Sequence, residues 1–268
     1  MAATQQEKGQ RFVELHEGEP FVIPNPWDAG SAKVLVGLGF KALATTSGGF
    51  AFTLGRHDGH VTPDEVMEHT RVLAEAVDVP VSVDLENGYG PEPEQAADAI
   101  ERVAAAGAVG GSIEDWDPGD ERIYELEHAT ERVAAACEAA RRLDFPFLVT
   151  ARAENHFRGN PDLEDTIARL QAFERAGADV LYAPGVRTVD EVRAICQATS
   201  KPVNVIARPK LSFAEVVEAG AQRVSVGSSL AFVAIAAMAE AAEAIRDEGD
   251  FGPITFSPKL GDWLSALG

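Results

Sequence analysis

The segment Val81-Ser-Val-Asp-Leu-Glu-Asn-Gly-Tyr-Gly90 sets a β-branched apolar run against two carboxylates and a glycine turn. Alternate residues of a strand point the same way, so Asp84 and Glu86 are expected to project together from one strand end, as a divalent-cation site requires. Three further segments end in ionisable residues: Val109-Gly-Gly-Ser-Ile-Glu114-Asp115, Phe147-Leu-Val-Thr-Ala-Arg152-Ala-Glu154 and, more loosely, the loop that carries Asp58. Acids and one arginine gathered at the same end of several parallel strands read as an active site rather than as scattered surface charge.

On either side of that segment, short apolar runs alternate with longer amphipathic ones. Strands are expected at Phe21-Val-Ile-Pro24, Lys41 to Thr46, Val79 to Asp84, Val109 to Glu114, Pro146 to Ala151, Asp179 to Ala183, Pro202 to Ala207 and Arg223 to Gly227. Helical patterns lie near 28–38, 62–77, 94–106, 128–143, 162–175, 188–198 and 212–219, with an alanine-rich one near 229–247. Eight strands, each followed by a helix across a short connection, predict an α/β fold of the (βα)8 TIM-barrel type. One domain over 1–268 is expected, with a helical tail from about 229 to 268. Glycine just after a helix, at Gly39, Gly107, Gly177 and Gly220, suits the left-handed cap that turns the chain back toward the sheet. Thr62-Pro-Asp-Glu65 is a helix start, with Thr at the cap and Glu in capping-box position.

At 268 residues and 46% hydrophobic, the chain can bury a large core. Its longest apolar stretch, Ser229 to Met238, is too short to span a bilayer, and the polar start lacks the form of a signal peptide, so a cytoplasmic location is expected. Cys137 and Cys196 sit in helical patterns and read as inert buried thiols. A formal net charge of -20 argues against nucleic acid and anionic lipid as partners. The same charge opposes a small anionic substrate unless a cation reverses the potential locally, which favours a bound metal. The near-apolar run Leu230 to Ala239 exceeds what one barrel needs from its last helix and points to a homo-oligomer.

Magnesium takes carboxylate oxygens and keeps several waters, so Asp84, Glu86 and Glu114 suffice as a ligand set for Mg²⁺, or for Mn²⁺. The bland alternative makes these acids strand-end caps or salt-bridge partners of Arg152 and Arg208. Arg152 belongs at the mouth of the fifth barrel strand, where a planar fork can hold a carboxylate or a developing enolate oxygen, unless it merely pairs with Glu154. Thr45-Thr-Ser-Gly-Gly49 offers hydroxyls and backbone N–H groups to an anion. Asp58 stands in a turn that either serves the site or only caps the helix after it. No histidine has metal-ligand spacing. Gly227-Ser-Ser229 occupies a common phosphate-binding place but is a weak motif, and Gly88-Tyr-Gly90 lacks the third glycine of a dinucleotide fingerprint.

Taken together, Pro24-Asn-Pro-Trp-Asp28, Thr45-Thr-Ser-Gly48, Gly55-Arg-His-Asp58, Asp84-Leu-Glu-Asn-Gly-Tyr-Gly90, Ser112-Ile-Glu-Asp115, Ala151-Arg-Ala-Glu154 and Val224-Ser-Val-Gly227 resemble the isocitrate lyase and phosphoenolpyruvate mutase superfamily. The resemblance covers about residues 20–230. It implies a barrel that often forms tetramers by exchanging its last helix, with Mg²⁺ beside a small anionic 2-oxo acid. It also implies Asp84 as the principal ligand, with Glu86, Glu114 and Asp58 acting partly through water. Thr46, Ser47 and Gly48 would cradle the substrate carboxylate, and Arg152 would meet the oxo oxygen. Asp58, Glu114 and Arg152 are then the catalytic candidates.

The superfamily's isocitrate-type lyases carry a Lys-Lys-Cys-Gly-His loop where this chain has Asp115-Trp-Asp-Pro-Gly-Asp-Glu-Arg-Ile-Tyr124, without cysteine. Its mutases carry a longer gating loop that is also missing. The expected activity is therefore that of a Mg²⁺-dependent lyase working through a stabilised enolate: decarboxylation of an oxaloacetate-like acid, or carbon–carbon cleavage of a related acid. The alternatives are phosphonopyruvate mutase or hydrolase chemistry and a catalytically silent 2-oxo acid binder.

Overall fold

The structure, a computed structural model, describes residues 2–267. In chain order the strands are β1 (Phe21–Ile23), β2 (Leu43–Ala44), β3 (Val81–Asp84), β4 (Gly110–Glu114), β5 (Trp116–Asp117), β6 (Arg122–Ile123), β7 (Leu148–Arg152), β8 (Val180–Tyr182), β9 (Val203–Ile206) and β10 (Arg223–Ser225). Eight of them run parallel in the order β1-β10-β9-β8-β7-β4-β3-β2, while β5 and β6 form a separate antiparallel hairpin. The helices are α1 (Gln5–Glu17), α2 (Ala29–Gly37), α3 (Ser47–Thr53), α4 (Pro63–Ala76), α5 (Pro93–Ala105), α6 (Leu126–Arg141), α7 (Leu163–Ala176), α8 (Val189–Ala198), α9 (Phe213–Glu218), α10 (Ser229–Glu248) and α11 (Leu260–Leu264). This is the (βα)8 barrel read from the sequence.

The barrel closes between β1 and β2 without a regular ladder. Pro24 and Pro26 have no N–H to give, so a single backbone bond crosses, from Ala44 N–H to Pro24 C=O at 3.1 Å. The Asn25 side chain supplies the rest: it donates to Thr45 C=O at 2.9 Å and accepts from the N–H groups of Val226 and Gly227, both at 2.9 Å. Capping boxes start α1, α4, α8 and α9, each pairing Thr or Ser with a Glu three residues on. The expected left-handed turns occur at Gly39, Gly107, Gly177 and Gly220, with φ of 95°, 105°, 106° and 111°.

Apolar helix faces cover the strands through buried Leu73, Ile100, Val103, Leu170 and Phe173. At the amino end of the barrel, α1 inserts Phe12 among Ile23, Ala42, Val109 and Leu148. A Cβ at Gly110 would come within 2.7 Å of the Phe12 ring, so β4 carries glycine where that ring enters. Above it lies a polar layer inside the barrel. Buried Arg223 donates to Asn204 Oδ1 at 2.8 Å, to Thr150 Oγ1 at 3.0 Å and to His16 Nε2 at 3.1 Å. His16 Nδ1 then donates to Phe12 C=O at 2.8 Å, which makes this imidazole neutral.

Two elements differ from the sequence reading. The turn after β2 is the helix α3, and the stretch after Glu114 is the β5–β6 hairpin. The alanine-rich helix expected near 229–247 is α10, and it stands away from the barrel: only Ala231 in it is buried, while Phe232, Val233 and Met238 are 54%, 66% and 61% exposed. The tail beyond it returns to α2, where Lys33 Nζ donates to Leu267 C=O at 2.8 Å. Among the described residues no helix is long and apolar enough to cross a membrane.

Burial first, and then the Arg223 charge, push His16 down to about 3. An unfolded histidine takes a proton near pH 6.5, so between pH 6.5 and about 3 the unfolded chain binds more protons than the folded one. The His16 contribution to stability is therefore complete above pH 6.5 and declines as pH falls through this window, by up to about 1.4 kcal/mol per pH unit. Urea unfolding of His16→Gln is expected to show a shallower loss between pH 6.5 and 4 than the natural chain. Equal slopes would exclude His16 as the source.

Candidate active site

β3, β4 and β7 lie side by side, with Asp84 opposite Ser112 and Glu114 directly opposite Arg152 in the ladder. This register brings three acids around one guanidinium. Arg152 Nη1 donates to Asp84 Oδ1 at 2.8 Å, Nη2 reaches Glu114 Oε2 at 2.9 Å, and Nε and Nη2 donate to Glu154 Oε1 at 3.0 and 2.8 Å. The Arg152 side chain is 14% exposed and lies over the Tyr182 ring, 5.5 Å from its centroid. Burial works against the Arg152 charge, but Glu154, Glu114 and Asp84 outweigh it and hold its pKa well above the ordinary value. Glu114 is pushed well up, first by burial and then by Glu154 and Asp84, with Arg152 pulling back.

Glu86 sits outside this cluster. β3 ends at Asp84, and Glu86 lies two residues beyond it with φ 49°, a left-handed conformation that costs a side-chain-bearing residue about 1 kcal/mol. The strand alternation expected for Asp84 and Glu86 therefore stops short of Glu86, because the chain turns before a second strand residue can align. Its carboxyl nonetheless remains in the same field: burial, then Asp84 and Asp58, raise it to about 7.

The residues expected to cradle a carboxylate start α3. Thr46 is its N-cap, accepting Gly49 N–H at 3.4 Å and sharing a 2.7 Å hydrogen bond with Ser228 of the Gly227-Ser-Ser motif. Ser47 N–H donates to Asp84 Oδ2 at 3.3 Å, which joins the cradle to the acids. Gly48 lies between the remaining pieces, since a Cβ there would come within 2.9 Å of Ser228 Oγ and 3.3 Å of Asp58 Oδ2. Asp58 is exposed at this rim and does not cap α4, whose N-cap is Thr62. Arg208 takes no part: it donates to the carbonyls of Val186 and Pro184 at 3.1 and 2.9 Å.

Two further residues complete the arrangement. Glu154, fully buried and read from the sequence only as a structural partner of Arg152, takes two of the Arg152 hydrogen bonds and keeps Oε2 without a hydrogen-bond partner. Arg158, absent from the sequence reading, approaches from the loop after β7, with Nη2 3.5 Å from Glu114 Oε1 and Nε 3.6 Å from Glu154 Oε2. Its place four residues past Glu154 was no signal, because an extended strand and a turning loop share no common period. Both cysteines fit their inert reading, with burial raising Cys137 to about 12 and Cys196 to about 11.

Asp84, Glu86 and Glu114 are not gathered as a ready-made chelate, and no group of three or more His, Cys, Asp or Glu among the described residues is arranged to hold a metal. The reason is Arg152, which lies among the acids and engages both Asp84 and Glu114. The donor chemistry still fits a hard cation. The acids Asp58, Asp84, Glu86, Glu114 and Glu154 outnumber Arg152 and Arg158 by five to two, every donor is an oxygen, and Glu86 carries a raised pKa that a bound cation would relieve.

Residues 12–246 match the family model described as phosphoenolpyruvate phosphomutase. The chain belongs to this family. A Burkholderia cenocepacia J2315 protein provisionally assigned as a lyase/mutase is 46% identical with a TM-score of 0.93, covering 97% of this chain and 95% of that one. The oxaloacetate decarboxylase of Rhodopseudomonas palustris (strain BisB5) is 30% identical over 233 residues, 82% of this chain and 78% of that protein. A phosphonopyruvate hydrolase solved with oxalate and Mg²⁺ shares the fold at 24% identity, with a TM-score of 0.84 over 96% and 94% of the two chains. This is a family of enzymes, and the resemblance read from the motifs is borne out.

The folded Glu86 carboxyl keeps its proton up to about pH 7, whereas the unfolded one releases it near 4.5. The folded state thus binds more protons across that window, and stability falls as pH rises through it. In metal-free buffer Glu86→Gln is expected to be more stable than the natural chain at pH 8, by on the order of 1–3 kcal/mol, with the gap closing at pH 5. Denaturant titrations at the two pH values measure this, and no gain at pH 8 would show that Glu86 carries no such penalty.

Proposed function

We propose that this chain is a Mg²⁺-dependent lyase that decarboxylates oxaloacetate or a closely similar small 2-oxo acid. The observation that carries the reading is the Arg152 guanidinium held among Asp84, Glu114 and Glu154 at the carboxyl ends of three neighbouring strands. The oxaloacetate decarboxylase relative and the oxalate and Mg²⁺ held by the phosphonopyruvate hydrolase support it.

Asp84, Glu86 and Glu114 would hold the ion, with Asp58 acting through water. When bound, Mg²⁺ supplies Lewis-acid polarisation of the substrate's carboxylate and oxo oxygens. The N–H groups of Ser47 and Gly48 and the hydroxyl of Thr46 orient the C1 carboxylate at the start of α3. As the C3–C4 bond breaks and carbon dioxide leaves, the electron pair moves onto the C2 oxygen, which Arg152 stabilises; a well-placed donor of this kind contributes about 3 kcal/mol. Asp58, exposed at the rim, positions the water that returns a proton to C3. The buried surroundings of Glu114 and Arg152 keep bulk water from screening these charges.

We also assign the apolar surface of α10 to a neighbouring subunit. Phe232, Val233 and Met238 are too exposed on one helix for a lone barrel, and exchange of this helix between copies would cover them.

With Mg²⁺ present, the protein is expected to consume oxaloacetate well above the rate with the ion alone; a chelator abolishes this, and Asp84→Ala lowers kcat/KM by about 100-fold or more. No acceleration, or an undiminished Asp84→Ala variant, sinks the assignment, and phosphonopyruvate turnover seen by phosphorus NMR would replace it. Light scattering is expected to give a dimer or tetramer that Val233→Glu weakens. A monomeric natural chain would refute the α10 assignment.

A further inference from the structure

Arg152 pairs with three carboxylates and is assigned above to the oxo oxygen, and one other guanidinium at this mouth contacts the acid cluster. Arg158 lies over the Trp116 indole, its guanidinium carbon 4.3 Å from the ring centroid, and its side chain is 32% exposed. Its approaches to Glu114 and Glu154, at 3.5 and 3.6 Å, are longer than the roughly 2.7–2.9 Å of a formed charge-assisted pair, so its donors are aimed at the site but weakly used. The contact with the ring holds the guanidinium in place without using its N–H donors.

Its setting is firm. Arg158 N–H donates to Glu154 C=O and Asn160 N–H to Asn155 C=O, both at 2.9 Å. Buried Asn155 and His156 tie the loop to α7 through Asp162 C=O at 3.0 Å and Thr166 Oγ1 at 2.8 Å. Trp116 is held by the β5–β6 hairpin, whose turn is closed by Asp117 accepting Gly119 N–H at 3.0 Å. Arg158 also pulls against the upward shifts of Glu86 and Glu114, so its charge is felt by Glu86 as well as by the two acids it approaches.

We propose that Arg158, on its Trp116 platform, recognises the distal anionic group of a 2-oxo acid, so that the site selects substrates with a second anion beyond the oxo carbon over monocarboxylates. This rests on the function proposed above. The C1 carboxylate and oxo oxygen are satisfied by the α3 cradle, the cation and Arg152, whereas a carboxylate or phosphonate on C3 would otherwise face an excess of acids. Holding a carboxylate that must leave as neutral carbon dioxide brings no gain in the transition state, so Arg158 acts on binding and not on the chemical step.

The test compares oxalate, which spans only the first two carbons, with oxaloacetate and phosphonopyruvate, all with Mg²⁺ and the full chain. Calorimetry gives oxalate binding, displacement of oxalate gives the affinities of the two longer acids, and kinetics give KM and kcat. Arg158→Gln is expected to weaken the acid with the matching distal group by about tenfold or more, with oxalate within about twofold and kcat not reduced, and Arg158→Lys recovers part of the loss. The larger loss, for oxaloacetate or for phosphonopyruvate, tells carboxylate from phosphonate. Unchanged affinities for both longer acids, or an equal loss for oxalate, would overturn the role of Arg158. Failure of oxalate to bind the natural protein would instead refute the proposed function itself.

Discussion

A buried guanidinium shared by three carboxylates is the interaction on which the rest of this molecule depends. Like charges as close as Asp84, Glu114 and Glu154 would drive their strand ends apart, and Arg152 is the counter-charge that lets β3, β4 and β7 finish in register. Removing one partner of such a buried set costs about 3–5 kcal/mol, because the charges left behind are neither paired nor hydrated. The same cluster remains short of positive charge. That deficit is an unfavourable term in the protein, and the cation proposed above would relieve it, so that stability and binding would oppose each other at the same atoms.

The surrounding structure holds that tension in place. Arg132, almost wholly buried, donates to the carbonyls of Asn87, Gly90 and Pro91 and lies 4.6 Å from the Tyr124 ring centroid. These bonds over-determine the loop after β3 and keep Glu86 in its left-handed conformation, as a strained residue at a site requires. Beneath the cluster, the neutral His16 and the Arg223 layer fill the barrel with satisfied polar groups, so the floor is rigid without presenting a further acid.

Much of this was legible in the chain itself. The barrel follows from alternating strand and helix periods and from the glycines that end the helices, since backbone geometry dictates both. Asp84, Glu114 and Arg152 were readable because each closes an apolar run, and the end of a parallel strand is where a barrel exposes a side chain. Glu86 was harder, because local turning overrides strand alternation one residue past the ladder. The helix α3 escaped notice since Gly48 and Gly49 have poor helix propensity, and the N-cap bond from Thr46 together with packing against Trp27 and Ala231 overcomes it. Arg158 and the hairpin beneath it carry no periodicity, and their relation exists only in three dimensions.

The barrel is least stitched where β1 meets β2. A ring of strands opens first where its staves share the fewest bonds, and here one amide bridge and one asparagine do the work of a ladder. Thr45, which Asn25 grips, directly precedes Thr46, the N-cap of α3. Breathing of the wall at this joint therefore loosens the start of α3 before it disturbs the Arg152 hub, giving the protein a built-in order in which the mouth of its barrel softens.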